Sequence, residues 1–256
     1  MQQGRQAPRS LVDLVLGEAG QLLELNPGIL EKRFKEREIY QSLVVEPPLA
    51  IRLDGVGWGR RLRGKYRWPR DPSVHRALVD AAAELLGFLN ACCALVISDE
   101  VSVVLVSEPP YGGRVEKLVS TSAGLVSATV SRLLGETLYT DARIAKLYSV
   151  GDAETYILYR MRVGFNNYVS SLYHMLPGSA RGQTPGLREM LKVLAERIVS
   201  DEAWEPWRLM GTCVARMPAV KRIDGRRARR KRIVALDASP GLCKRMIREQ
   251  FSAQST

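Results

Sequence analysis

Apolar residues recur along this chain in two rhythms. Between Pro72 and Asn90 they fall three and four apart: Val74, Leu78, Ala81, Leu85, then Phe88 and Leu89. That spacing is the stripe of an amphipathic helix. Asp71 offers a side-chain oxygen to the first free N–H groups, and Pro72 needs no N–H partner at the first helical position, so the helix starts there. Residues 92–97 and 101–106 are instead short, unbroken, β-branched runs separated by Ser98-Asp99-Glu100, the pattern of a hairpin. Residues 49–54 read as a further strand, leaving into the glycine-rich turn Gly55-Val56-Gly57-Trp58-Gly59. After the loop Pro109–Gly113 come a small-residue helix, Val115–Leu134, and a short strand over 142–147.

That order is β–α–β–β–α–β, a ferredoxin-like split βαβ unit. Upstream, 9–25 has a helical period, Asn26-Pro27-Gly28 breaks it, and a charged helix follows over 30–40 until Pro47-Pro48. Downstream, helices are expected over 153–176, stopped by Pro177-Gly178, and over 185–199, capped by Thr184. Strand-like 212–217 and 232–236 flank the basic run 221–232. The pattern therefore predicts an α+β chain: a ferredoxin-like βαββαβ core with additional helices and a C-terminal basic β-hairpin. Its expected parts are a helical segment over 1–46, a core domain over 47–217 and a basic segment over 218–256.

Composition narrows the class. The 256 residues are 46 % apolar and 25 % charged, enough to bury a core without disulfides or structural metal. No apolar run approaches the ~18 residues of a membrane span, and no secretory signal opens the sequence, so no membrane partner is expected. The net charge is +11, which points to a polyanionic partner, nucleic acid first. Cys92, Cys93, Cys213 and Cys243 include no C-x-x-C pair, and only two histidines accompany them, so zinc is not expected. The apolar setting of Cys92-Cys93 fits buried free thiols in a reducing compartment, the cytoplasm. His75 and His174 lie within helical patterns and are read as structural.

In a βαββαβ sheet the end of the first strand shares an edge with the turn between the second and third. Asp54 ends that strand and Asp99 sits in that turn, so two carboxylates about 45 residues apart in sequence are brought side by side. Close carboxylates repel unless a cation compensates them. Mg²⁺ uses one or two carboxylates together with substrate phosphates, and paired ions clamp phosphoryl transfer. Both residue types also favour plain turns, which leaves the pair open on spacing alone.

The motifs around this pair resemble the tRNA-His guanylyltransferase family and its guanylyltransferase-like, 3′-5′ polymerase relatives. The resemblance rests on Glu36-Arg-Glu-Ile-Tyr40, Pro47-Pro48, Arg52-Leu-Asp-Gly55 and Ser98-Asp-Glu100, followed by Tyr111, Arg114 and Lys117, then Asp141 and Arg143 ahead of Leu147-Tyr-Ser149, and Asn166-Asn167. It implies a polymerase-like palm that adds nucleotides to the 5′ end of tRNA. It implies that Asp54, Asp99 and the carbonyl of Gly55 hold two Mg²⁺ ions, with Glu100 as a neighbouring catalytic acid. It implies nucleotide contacts from Arg114, Lys117, Arg143, Asn166 and Asn167, substrates that are GTP, ATP or another NTP, and a homodimer or homotetramer. Three positions depart from the dedicated enzymes: Gly164 stands where they carry His, Tyr168-Val169 follows the Asn pair, and Leu209-Met210 replace a basic pair. These departures favour template-dependent repair of 5′ ends.

Arg226, Arg227, Arg229, Arg230 and Lys231 are candidate RNA contacts, with a solvated hairpin as the alternative. Trp204 and Trp207 suit either base stacking or packing. An RNA-binding module with an inactive palm and a nucleotide cyclase remain competing readings.

Overall fold

The computed structural model describes residues 12, 19–20, 22–179, 184–198, 200–223 and 226–252, and of 218–231 the backbone alone. Two compact units meet in sequence at Leu43 and Val44. The first contains helix α1 (Pro27–Lys35). Asn26 Oδ1 accepts from the Ile29 N–H at 3.1 Å, and Pro27 takes the first helical position. The residues read as a break thus begin a helix, because a cap and an N-terminal proline suit a start as well as a stop. That helix also ends at Lys35, short of Tyr40. Most of the helix expected over 9–25 lies outside the described residues.

The second unit is built on a six-stranded sheet. Its strands are β1 (Leu49–Gly55), β2 (Cys93–Ile97), β3 (Glu100–Leu105), β4 (Thr140–Lys146), β5 (Thr212–Ile223) and β6 (Arg226–Asp237). They lie in the order β4-β1-β3-β2-β5-β6, and every neighbouring pair is antiparallel. The first four strands have the expected split βαβ order. A short helix α2 (Trp58–Arg61) follows β1 where a glycine turn was expected.

Helices α3 (Pro72–Leu89) and α4 (Val115–Leu134) cover one face. There Ile51, Leu53, Val101, Val103 and Val96 pack with Leu78, Leu85, Leu118 and Val126. Asp71 caps α3, accepting from the N–H of Ser73 at 2.7 Å and of Val74 at 3.3 Å. Helix α5 (Val150–Met175) and a C-terminal helix α8 (Pro240–Ser252) cover the other face, placing Ile157, Met161, Met246 and Ile247 against Ala50, Leu95 and Val104. A sheet covered twice needs apolar residues on both faces, so β2 and β3 read as unbroken apolar runs rather than alternating ones. Helix α6 (Leu187–Arg197) packs Met190 and Leu194 onto the far end of α5.

Two features differ from the expectation. The basic run lies in strands of twelve residues each, and only Thr212 to Ala215 pair with β2, so the hairpin continues beyond the sheet. Helix α8 was not expected, and a disulfide between Cys213 and Cys243 joins it to β5. Cys92 and Cys93 are free and buried, as predicted.

Helix α5 meets β2 at Gly164, where a Cβ would overlap Cδ1 of Ile97 and lie 2.5 Å from Cγ1. Gly164→Ala should therefore lower unfolding stability by about 1–3 kcal/mol, read as a shift of the urea midpoint. Combined with Ile97→Ala it should lose less than the sum of the two single changes.

Candidate active site

Strands β1 and β2 flank β3 and are both antiparallel to it, so their C-terminal ends share one sheet edge. Asp54 stands at the end of β1 and Asp99 in the two-residue turn between β2 and β3. The Gly55 N–H donates to the Asp99 carbonyl at 3.1 Å and ties the two ends together. Ser98 turns with φ 59°, tighter than the expected three-residue connection. In register, Asp54 lies between Glu100 on β3 and Asp141 on β4, so acids form a row across three strands. Burial raises the Asp54 carboxyl above its ordinary value, Asp99 and Asp141 raise it further, and Arg52 and Arg160 pull it back.

Strand β4 begins at Thr140, two residues before the expected 142, which brings Asp141 into the sheet. Asp141 Oδ2 accepts from Arg143 at 3.1 Å. Arg143 pairs in register with Arg52, one row behind the acids. The buried atoms Asp141 Oδ1 and Arg52 Nε have no hydrogen-bond partner. Buried polar atoms are normally satisfied, and a cation with phosphate oxygens is the kind of ligand that would satisfy an acceptor and a donor together. Among the described residues no three Asp, Glu, His or Cys side chains converge closely enough to hold a metal by themselves. Mg²⁺ does not require three, since it takes one or two carboxylates and completes its shell with water and phosphate.

Glu100 is 5 % exposed and fully engaged. Arg160 of α5 donates to both its oxygens, from Nε at 2.8 Å and from Nη2, and the Ser102 hydroxyl donates at 2.8 Å. In this geometry the carboxylate anchors α5 over the acidic row; it is not presented as a free acid.

A cleft of ≈ 590 Å³ opens at this edge. Ser98 and Asp99, Asn167 and Ser171 of α5, His75 of α3 and most of the segment from Trp58 to Asp71 line it, with Trp207 from helix α7 (Pro206–Met210). Arg70 is 6 % exposed. It donates to the carbonyls of Gly164, at 2.7 Å, and Arg208, and lies 4.8 Å above the Tyr168 ring. Arg208 returns a hydrogen bond to the Arg70 carbonyl and pairs with Glu202 at 2.6 Å and Glu205 at 3.1 Å. Burial pushes the Arg70 guanidinium down to about 10, where it stays charged at neutral pH. His75 stacks on Trp207 with ring centroids 4.5 Å apart, and its Nε2 lies 2.8 Å from the Thr212 hydroxyl. Burial, then Arg70 and Arg208, lowers its pKa to about 3, so it is neutral.

The remaining candidates are dispersed. Asn167 lines the cleft, while Asn166 is exposed and accepts from Arg162. Arg114 and Lys117 open α4 beside Val44 and Val45, next to the start of β1 and a strand's length from Asp54. The structure does not bring them to the carboxylates. Arg226, Arg227, Arg229, Arg230 and Lys231 lie on β6 opposite Ile223, Arg222, Val220, Ala219 and Pro218. Thr212 pairs with Val96 and Ala215 with Cys93, so the hairpin leaves the sheet away from the acidic edge. Trp204 is half-buried and donates to the Ile198 carbonyl at 3.4 Å. Sequence reasoning missed Arg70 and Trp68 of the cleft, which stand in no periodic pattern, and Arg160, which lies in a periodic helix but whose partner Glu100 is 60 residues away.

The family model described as Thg1, tRNAHis guanylyltransferase, matches residues 31–158, half of the chain and all four strands of the split βαβ core. The chain belongs to the tRNAHis guanylyltransferase family. Its members are nucleotidyltransferases. The fold is shared with solved structures of a bacterial tRNA(His) guanylyltransferase (Thg1)-like protein. In complex with ATP the TM-score is 0.68 at 18 % identity, covering 88 % of this chain and 99 % of that one. In complex with GTP the TM-score is 0.69 at 15 % identity, covering 86 % and 99 %. The Saccharomyces cerevisiae tRNA(His) guanylyltransferase gives 0.56 at 18 % identity, covering 71 % and 91 %. A search of curated proteins by sequence finds no match.

Set against the tRNAHis guanylyltransferase pattern, Gly164 has a structural cause. Ile97 fills the space a side chain would need there, and the Gly164 carbonyl serves Arg70. Leu209 and Met210 pack against hydrophobic clusters.

His75 carries a pH signature. An unfolded histidine titrates near ~6.5, so between that pH and about 3 the unfolded chain binds more protons than the folded one. Stability should fall as pH drops through this window, by up to about 1.4 kcal/mol per pH unit from this group. Urea midpoints from pH 7 to 4.5 read the slope, and His75→Gln should flatten it.

Proposed function

We propose that this chain is a template-dependent 3′-5′ nucleotidyltransferase that adds nucleotides to the 5′ end of tRNA by two-Mg²⁺ phosphoryl transfer, in tRNA 5′-end repair or G addition to tRNA-His. The observation that carries the reading is Asp99 in the wall of a cleft large enough for a nucleoside triphosphate and lined by Arg63, Arg67 and Arg70, with the Asp54 end of β1 tied to it through the Gly55 N–H. The fold is that of a relative solved with ATP and with GTP, which supports NTP substrates.

Asp54, Asp99 and the Gly55 carbonyl would hold Mg²⁺, which when bound neutralises phosphoryl oxygens and activates the attacking oxygen. The chain's own groups do the remaining work. Arg70, charged and fixed by two carbonyls, presents positive charge to phosphate within the cleft. Asn167 offers a donor and an acceptor to the nucleotide or RNA end. Arg143 and the unpartnered Arg52 Nε lie behind the acids, where a displaced phosphate gains from them. Gly164, Leu209 and Met210 supply no polar side chain to select a base, so Watson–Crick pairing provides the selectivity and aligns the nucleotide.

The basic hairpin, from Arg226 to Lys231, is the tRNA-contacting part, within a cytoplasmic protein that works as a homodimer or homotetramer. No helix among the described residues is long and apolar enough to cross a membrane.

The deciding assay incubates labelled tRNA lacking its 5′ nucleotide with Mg²⁺ and each NTP in turn. A templating C should direct G and a templating A should direct U, and Asp54→Ala or Asp99→Ala should abolish addition while tRNA still binds. Equal G addition opposite every base would remove the templating claim. No addition by the wild type would leave an RNA-binding module with an inactive palm. In a separate titration, log K for tRNA should fall with log salt by roughly 0.7–0.9 per phosphate neutralised. Replacing Arg226, Arg227, Arg229 and Arg230 with Ala should flatten that slope, and an unchanged slope would return the run to a solvated hairpin.

A further inference from the structure

Five Trp and Tyr rings line the cleft, and four are already committed to the protein. Trp58 is buried and donates its indole N–H to the Tyr139 carbonyl at 2.7 Å. Tyr66 donates to the Leu134 carbonyl at 3.1 Å. Tyr168 donates to the Ala203 carbonyl at 3.0 Å and lies under Arg70. Trp207 stacks on His75, carries Arg208 4.4 Å from its ring centre and donates to Glu205 at 2.7 Å. Trp68 differs. It is 63 % exposed, and among the described residues it has no ring partner and no hydrogen bond. The backbone N–H of its neighbour Arg67 donates to Asp71 at 2.9 Å and the Arg67 side chain pairs with Glu202 at 2.7 Å, which tie down the chain on which the indole stands.

A large free aromatic face at the rim of a cationic cleft suits a planar, electron-poor ring carried by phosphates. We propose that Trp68 is the stacking platform for the nucleobase of the bound nucleoside triphosphate, with the phosphates directed toward Arg70 and the Asp99 end of the cleft. The proposal rests on the reading of this cleft as a nucleotide site. Stacking is tolerant of sequence because every base has a π face, while purines offer more overlap than pyrimidines. Such a platform holds any of the four nucleotides and leaves the choice among them to the template. It also acts on the base alone and is blind to the phosphates.

That division supplies the test. Binding of ATP, GTP, UTP and inorganic tripolyphosphate is measured by calorimetry on the full chain, with Ca²⁺ replacing Mg²⁺ so that no turnover intervenes. Base stacking is worth about 1–3 kcal/mol, so Trp68→Ala should weaken ATP and GTP about 5- to 150-fold and UTP less. Tripolyphosphate affinity and the thermal midpoint should stay as in the wild type, and Trp68→Phe should recover most of the loss. Unchanged NTP binding by Trp68→Ala overturns the proposal, as does an equal loss for tripolyphosphate. Unchanged NTP binding with weakened binding of an acceptor-stem hairpin also overturns it and assigns the indole to RNA. A wild type that binds neither NTP nor tripolyphosphate instead overturns the nucleotide reading of the cleft, a result distinct from the others.

Discussion

The buried pair of Glu100 and Arg160 is the contact on which the architecture of the acidic edge depends. Both charges leave water, a step that is unfavourable unless geometry and extra hydrogen bonds compensate it. Here the fork of Arg160 meets both carboxylate oxygens and Ser102 adds a third donor. The pair sets the position of α5 across the sheet. Everything α5 contributes to the site follows from that position: Asn167 facing the cleft, Tyr168 beneath Arg70, and the Gly164 carbonyl that receives the guanidinium. Helix α8 packs on the same α5, where Arg248 reaches back to Glu154 near its start at 2.5 Å.

Charge is partitioned along the strand direction. The acids gather at one edge of the sheet, while Arg114, Lys117 and the outgoing hairpin belong to the other. Positive charge at the acidic edge comes from the cleft wall and from the row behind the acids. Of these arginines, Arg70 is held by two carbonyls, Arg67 by Glu202 and Arg143 by Asp141, so a small anionic ligand at the acids would meet charges already fixed in place. A long polyanion can extend past the opposite edge, where positive charge is concentrated in sequence.

Much of this was legible before any coordinates. The βαββαβ order followed from apolar period and turn residues, and with it the convergence of Asp54 and Asp99, because topology alone puts those strand ends together. The Asp71-Pro72 start and the extent of α4 were readable because capping chemistry is local. What escaped depends on contacts made across long separations. Asp141 joins the acids only through its register with Asp54, and strand starts are poorly marked in sequence. Arg70 and Arg208 recognise each other's carbonyls 138 residues apart, which no window of sequence contains. Helix α8 was hidden for another reason: Leu242, Cys243, Met246 and Ile247 have helical spacing, but over so short a stretch, inside a segment marked chiefly by its basic run, that period is weak.

The contact between Gly164 and Ile97 also bears on how such a site changes over time. A histidine introduced at 164 alone would meet the Ile97 side chain, and a smaller residue introduced at 97 alone would open a void beneath α5. Each single step is uphill, by overlap in one case and by a void in the other. The two positions are therefore coupled: with isoleucine at 97, a side chain at 164 costs stability unless 97 changes as well. One van der Waals contact thus links the choice of residue at 164 to the choice at 97, so substitutions at the two positions are expected to be non-additive.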